Sequence, residues 1–187
     1  FMDYSNADGS VAEMCGNGIR VMARYLVERG HQNEGIFAIN TRDGIKHLRV
    51  PRDSDISVNM GQVRDEMEQV EVSHNGHTCS AFNINVGNPH AVVFVDSLNE
   101  VGSLSIAPNV APKSTYPEGV NVEFVEMLGG NELSMRVHER GSGETRSCGT
   151  GTCAVALAAT LHTSGKLPST WVIYPPGGRL VVEIDGH

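Results

Sequence analysis

The sequence predicts an α+β protein made of two related, pseudo-symmetric halves and rich in antiparallel hairpins. Three observations support this. A Cys-Gly-x-Gly segment occurs twice, at Cys15 to Gly18 and at Cys148 to Gly151. Each copy opens a stretch with helical patterning that a glycine closes, Gly30 in the first half and Gly165 in the second. Each helix then runs into a hairpin signal, and the spacings Cys15 to Gly44 and Cys148 to Gly178 differ by one residue. Agreement at this level points to duplicated supersecondary units.

The elements follow in chain order. Phe1 to Tyr4 reads as strand. Ile19, Met22, Ala23 and Leu26 share one helical face while Arg20, Arg24 and Glu28 are polar, so the first helix is amphipathic. Ile36 to Asn40 and Ile45 to Val50 flank a turn at Asp43 and Gly44, and strand-like runs come next at Ile56 to Met60, Phe82 to Val86, Ala91 to Val95, Val120 to Glu126 and Leu133 to His138. Ala154 to Ala159 is small or apolar on all sides, which predicts a buried second helix. Trp171 to Tyr174 and Leu180 to Ile184 flank the turn at Gly177 and Gly178. The polar stretch Ser73 to Thr78 suggests a boundary, giving domains 1–76 and 77–187. The strand at Phe1, the unfinished look of Val181 to Ile184, and the lack of a first-half counterpart to Gly87 to Val95 lead us to expect a chain truncated at both ends.

At 187 residues and 40% hydrophobic, the chain can bury a substantial core. Its formal charge of -8, from 22 acidic and 14 basic residues, argues against nucleic acid or an anionic membrane as partner, since both require clustered Lys and Arg. No apolar run approaches the roughly 20 residues of a membrane span, and no leader pattern is read at the start, so a cytoplasmic location is the default expectation. Cys15, Cys79, Cys148 and Cys153 are expected as reduced thiols, and their spacing does not resemble a zinc site; no metal is expected.

A glycine-flanked turn at a helix start presents unpaired N–H groups at the positive end of the helix dipole. A cysteine there is biased toward thiolate, and the same N–H groups can hold a carboxylate. One cysteine in such a place is more simply a small hydrophobe. Two, in matching turns of matching halves, suggest two helix N-termini converging on one ligand, with Cys15 and Cys148 as a thiol/thiolate pair. Gly149, Gly151 and Ala154 satisfy a loose dinucleotide pattern, but no Asp or Glu lies between Thr145 and Val182 to complete it. No phosphate-cradling G-x-x-x-x-G-K-[ST] segment occurs, and a Cys-His hydrolase would leave the second cysteine unexplained.

The segments Asn6-Ala-Asp-Gly-Ser10, Met14-Cys-Gly-Asn-Gly-Ile-Arg20, Gly87-Asn-Pro-His90, Gly119-Val-Asn-Val122, Glu139-Arg-Gly-Ser-Gly-Glu-Thr145 and Ser147-Cys-Gly-Thr-Gly151 together closely resemble the diaminopimelate epimerases. The resemblance covers nearly the whole chain. Proline racemases and phenazine-biosynthesis isomerases share parts of the pattern, but proline racemases typically carry His where this chain has Asn17. The resemblance implies two domains, each a largely antiparallel sheet or half-barrel around a central helix. It further implies a two-base reaction without pyridoxal phosphate or any other cofactor, interconverting LL- and meso-diaminopimelate in lysine and peptidoglycan synthesis. Cys15 and Cys148 fall on the family's catalytic cysteines, and His90 and Glu139 on residues that assist them. Asn6, Gly16, Asn17, Asn88, Asn121, Glu139, Arg140, Gly149 and Thr150 fall on positions that hold the substrate. The family's leading strands carry further substrate contacts that fall before Phe1.

Read alone, several of these residues have plainer roles. Asn6 and Asn88 suit turns, His90 could bond to one, and Arg140 could pair with Glu144 or Glu139. Two alternatives stay open at this stage: a proline or hydroxyproline racemase-like isomerase, and a non-catalytic dicarboxylate-binding module. The expected partner is a small molecule, with a homodimer left open.

Overall fold

The computed structural model describes residues 1–5, 9, 11–12 and 14–186. The chain folds as two compact units, Phe1–Gly61 and Gln62–His187. The division falls ahead of the Ser73 to Thr78 stretch where the sequence suggested a boundary. That stretch is the tip of a hairpin inside the second unit: Asn75 (φ 48) and Gly76 (φ 80) form its two-residue turn. Asn-Gly between alternating strands is a strong hairpin signal, and the polarity of its flanks disguised it as a linker.

In the first unit, β1 (Tyr4–Ser5) pairs with β2 (Val11–Ala12), and α1 (Gly16–Glu28) leads to β3 (Gly35–Thr41), β4 (Gly44–Val50) and β5 (Ser57–Val58). The three later strands form an antiparallel sheet in that order. Along β4, Lys46, Leu48 and Val50 are buried while Ile45, His47 and Arg49 are exposed, the period of two that gives a sheet one inner face. α1 lays Ile19 and Ala23 on that face, where they join Met2, Ile39, Leu48 and Val50. Lys46 is tolerated inside because its ammonium meets Asp43 at 2.7 Å and the Met60 carbonyl at 3.2 Å.

The second unit contains β6 (Arg64–Asp65), β7 (Val70–His74), β8 (His77–Asn85), β9 (Pro89–Phe94), β10 (Asn109–Ala111), β11 (Asn121–Gly129), β12 (Glu132–Glu139) and β13 (Gly143–Thr145). They are followed by α2 (Gly149–His162), β14 (Ser169–Tyr174) and β15 (Leu180–Ile184). One sheet runs β10-β7-β8-β9-β11-β12-β14-β15, with β6 on β8 and β13 on β12. The expected antiparallel hairpins are present, but β9 with β11 and β12 with β14 are parallel, so the sheet is mixed. A parallel pair needs a crossover, and α2 supplies the one between β12 and β14.

α2 touches β6, β8, β9, β11, β14 and β15, so the sheet curls around it. This is why Ala154 to Ala159 can be apolar on every side: all six residues are buried. Trp171 is buried against the helix and donates its Nε1–H to Thr160 at 2.8 Å. Ile84, Val92 and Val125 face α2, while Ala91, Val93, Val122 and Phe124 form a second core on the other face of the same strands.

The duplication inferred from the sequence is present as structure. α1 leads to the β3–β4 hairpin and α2 to the β14–β15 hairpin, with Gly44 (φ 82) and Gly178 (φ 137) in the left-handed region between the paired strands. No helix among the described residues is long and apolar enough to cross a membrane.

Candidate active site

Both motif cysteines occupy the same place in their own unit. Cys15 is the N-cap of α1 and Cys148 the N-cap of α2, each in extended conformation. Each carbonyl accepts the N–H of the residue four further on, Ile19 at 2.9 Å and Thr152 at 3.0 Å. Each sulfur accepts the N–H of the second motif glycine, Gly18 at 3.4 Å and Gly151 at 3.3 Å. The sulfur thus stands where a Ser or Asp cap would put its oxygen, against the positive end of the helix.

The second glycine of each motif lies close against its cap sulfur. A Cβ on Gly18 would lie 3.3 Å from Cys15 Sγ and 3.1 Å from the Met2 methyl. A Cβ on Gly151 would lie 3.3 Å from Cys148 Sγ and 2.6 Å from a carboxylate oxygen of Glu123. At Gly151 an added Cβ would displace the buried Glu123 carboxylate, whereas at Gly18 the neighbours would have to give by only a few tenths of an ångström.

The second unit brings most of the expected residues together. The turn between β8 and β9, with Gly87 at φ 88, carries Asn88, and His90 follows at the start of β9 with no exposed surface. The parallel register sets Asn121 of β11 beside His90, and the period of two turns Glu123 to the same face. His90 Nδ1 lies 2.7 Å from Glu123 Oε1 and its Nε2 lies 3.0 Å from Asn88 Oδ1. Asn88 Nδ2 donates to Thr150 Oγ1 at 3.2 Å, and that hydroxyl lies 3.4 Å from Cys148 Sγ. A continuous row of polar contacts therefore joins Glu123, His90, Asn88, Thr150 and Cys148.

Asn121 is buried and tied to backbone at both ends, donating to the Pro89 carbonyl at 3.1 Å and accepting the Arg140 N–H at 2.9 Å. It pins the start of β9 to the end of β12. Glu139 accepts the hydroxyl of Thr145. Arg140 does not pair with Glu144, whose carboxylate is taken by Arg136 at 2.7 Å. Its stem lies over Gly119, and among the described residues its guanidinium meets the Glu118 carbonyl at 3.4 Å. In the first unit, Asn17 Oδ1 accepts from Arg20 at 2.5 Å and Arg20 also bonds the Gly16 carbonyl at 3.0 Å. Asn6 lies outside the described residues.

Electrostatics hold Cys148 as a thiol. Burial is the main cause, and the carboxylates of Glu139 and Glu123 add to it, while the hydrogen bonds from Thr150 and Gly151 work the other way. Glu123 is the participant that the sequence reading missed. It is fully buried, and its Oε2 has no hydrogen-bond partner among the described residues. Its signal was available: a carboxylate amid Val122, Phe124 and Val125 contradicts the pattern of a core strand.

Solved structures share this fold at low sequence identity. A hydroxyproline epimerase from Agrobacterium vitis superposes with a TM-score of 0.71 at 15% identity, covering 97% of this chain and 60% of its own. A PhzF-family phenazine biosynthesis protein from Bacillus anthracis gives 0.71 at 15% identity, over 100% of this chain and 72% of its own. The chain thus shares the fold of these two structures. A family model described as diaminopimelate epimerase matches residues 1–65 and 82–187. A diaminopimelate epimerase of Streptomyces coelicolor is 51% identical over 187 residues, spanning 97% of this chain and 65% of the relative. One from Thermobifida fusca is 43% identical over 185 residues, spanning 99% and 66%. The chain belongs to the diaminopimelate epimerase family, and it spans about two thirds of the length of these relatives.

Proposed function

We propose that this chain carries the chemistry of a cofactor-independent, two-base epimerase that converts LL-2,6-diaminopimelate to the meso isomer, in the cytoplasmic synthesis of lysine and peptidoglycan precursors. The observation that carries the reading is the matched pair of cysteine caps, each sulfur held against the N–H of its second motif glycine, in a chain of this family.

One sulfur, as thiolate, takes the α-proton as the Cα–H bond breaks. The other, as thiol, gives its proton to the opposite face of the same carbon, so thiol and thiolate exchange roles and no net proton is lost. Cys148, kept protonated by burial and by two carboxylates, is suited to the proton donor's part in the resting state. The α-proton next to a carboxylate is weakly acidic, so charge developing on that carboxylate must meet donors already in place. The N–H groups of Gly16, Asn17, Gly149 and Thr150 at the two helix starts are suited to that, with Asn6, Asn88 and Arg140 orienting the rest of the substrate and Asn121 contributing by holding Pro89 and Arg140 in place. Glu139 and His90 act on Cys148, the first through its charge and the second through the Asn88 and Thr150 contacts.

The test is exchange of the α-hydrogen of LL-diaminopimelate in deuterated water under reducing conditions, in the protein and in its Cys15→Ala and Cys148→Ala variants. Epimerisation that both substitutions abolish is expected. Exchange that survives both, or tight binding with no exchange in the unaltered protein, would remove the two-thiol mechanism.

A further inference from the structure

The row of contacts reaching Cys148 has a direction, and the direction can be read from its middle member. Asn88 turns its Nδ2 to Thr150 and its Oδ1 to His90. An amide oxygen 3.0 Å from an imidazole nitrogen requires a proton between them, so His90 carries hydrogen on Nε2. The other side of the ring meets Glu123 Oε1 at 2.7 Å, a second link that also requires a proton. Thr150 Oγ1, having accepted from Asn88, has its own hydrogen left and can give it to Cys148 Sγ, 3.4 Å away.

The starting point of this row is Glu123. Its carboxylate is fully buried, bonded among the described residues to His90 through Oε1, and wedged into the space that Gly151 leaves empty in the first turn of α2. A carboxylate taken this completely out of water is unfavourable unless its environment answers it, so the residue is not filler in a core strand.

We propose that Glu123 is a positioning residue of the site: held between His90 and the first turn of α2, it locks the imidazole with Nε2–H aimed at Asn88. Each donor in the row then points onward to the sulfur of Cys148. This deepens the epimerase reading, but its test observes Cys148 directly and can succeed or fail without that reading.

The experiment measures the rate at which iodoacetamide alkylates Cys148 at fixed pH, mapped by mass spectrometry with Cys15 as internal reference. Thiolate is the reacting form, so a hydrogen bond donated to the sulfur speeds the reaction. Thr150→Val is made in the unaltered protein, in Glu123→Gln and in Glu123→Leu. Glutamine can donate to His90 Nδ1 and keep Nε2–H facing Asn88, whereas leucine leaves the ring without an anchor.

Thr150→Val is therefore expected to slow Cys148 about threefold or more in the first two backgrounds, the worth of one hydrogen bond, and by less than half of that in the third. An equal effect in all three would overturn the proposal. Should Glu123→Leu not fold, nitrogen NMR of His90 in the unaltered protein decides the matter: a protonated Nε2 at neutral pH is expected, and an unprotonated one overturns the inference.

Discussion

Cys148 places a titratable group under stress, and the consequence for stability has a definite sign. In the unfolded chain a thiol ionises near about 8.5. In the folded protein burial and the carboxylates of Glu139 and Glu123 keep it protonated well above that. Above the unfolded value the unfolded chain releases a proton that the folded chain retains, so stability is full below about pH 8.5 and falls as pH rises. Cys148→Ser removes the titration while leaving a capping side chain. Between pH 8 and pH 10 the variant is expected to lose about 1–2 kcal/mol less than the unaltered protein, read from urea denaturation at each pH. Tyr116, whose hydroxyl burial and nearby carboxylates also keep protonated, titrates in both and cancels from the comparison. Parallel stability curves would show that Cys148 does not retain its proton.

At the scale of elements, the two helices start alike and end differently. α1 ends with Gly30 at φ 71, its N–H on the Val27 carbonyl and the next N–H on Leu26 at 2.8 Å. α2 closes with the same pair of bonds, but the left-handed residue is Ser164 at φ 52, and Gly165 follows it. The sequence reading assigned the stop to Gly165, which is glycine for another reason: a Cβ there would lie 3.2 Å from the Thr160 carbonyl that its own N–H engages. Ser164→Gly should therefore stabilise the protein by about 0.5–1 kcal/mol, and Gly30→Ala should destabilise it by a similar amount. Thermal unfolding that moves both variants in one direction would refute this account of the caps. The helices and long strands were legible because each carries a period over many residues, whereas β6, β10 and β13 have two or three residues each and take their order from neighbours in the sheet. Cys15 and Cys148 were legible as matching helix starts because a repeated motif announces them, and His90 and Asn88, which line up toward Cys148, were singled out through the resemblance. Glu123 showed in the sequence only as a carboxylate out of place in a core strand; its partner was not legible, since it lies 33 positions away and meets it only through the β9–β11 pairing.

For the molecule as a whole, duplication does not mean equal strength. Each half presents a cysteine-capped helix followed by a hairpin, yet the apolar material behind the two is unequal. Among the described residues, the first unit buries Met2, Ile19, Ala23, Ile39, Leu48 and Val50, with α1 leaving Val21 and Tyr25 in solvent. The second unit encloses α2 within the curl of its sheet and adds a second core on the far face of β9 and β11. Hydrophobic stabilisation scales with buried apolar area, and partial unfolding follows contiguous units that differ in it. Native-state hydrogen exchange should therefore show the amides of α1 and β4 exchanging by a cheaper opening than those of α2 and β11. The difference should reach about tenfold or more in protection, equivalent to roughly 1.4 kcal/mol. Uniform protection across the two helices would show instead that the halves open as one body, whatever the difference between their cores.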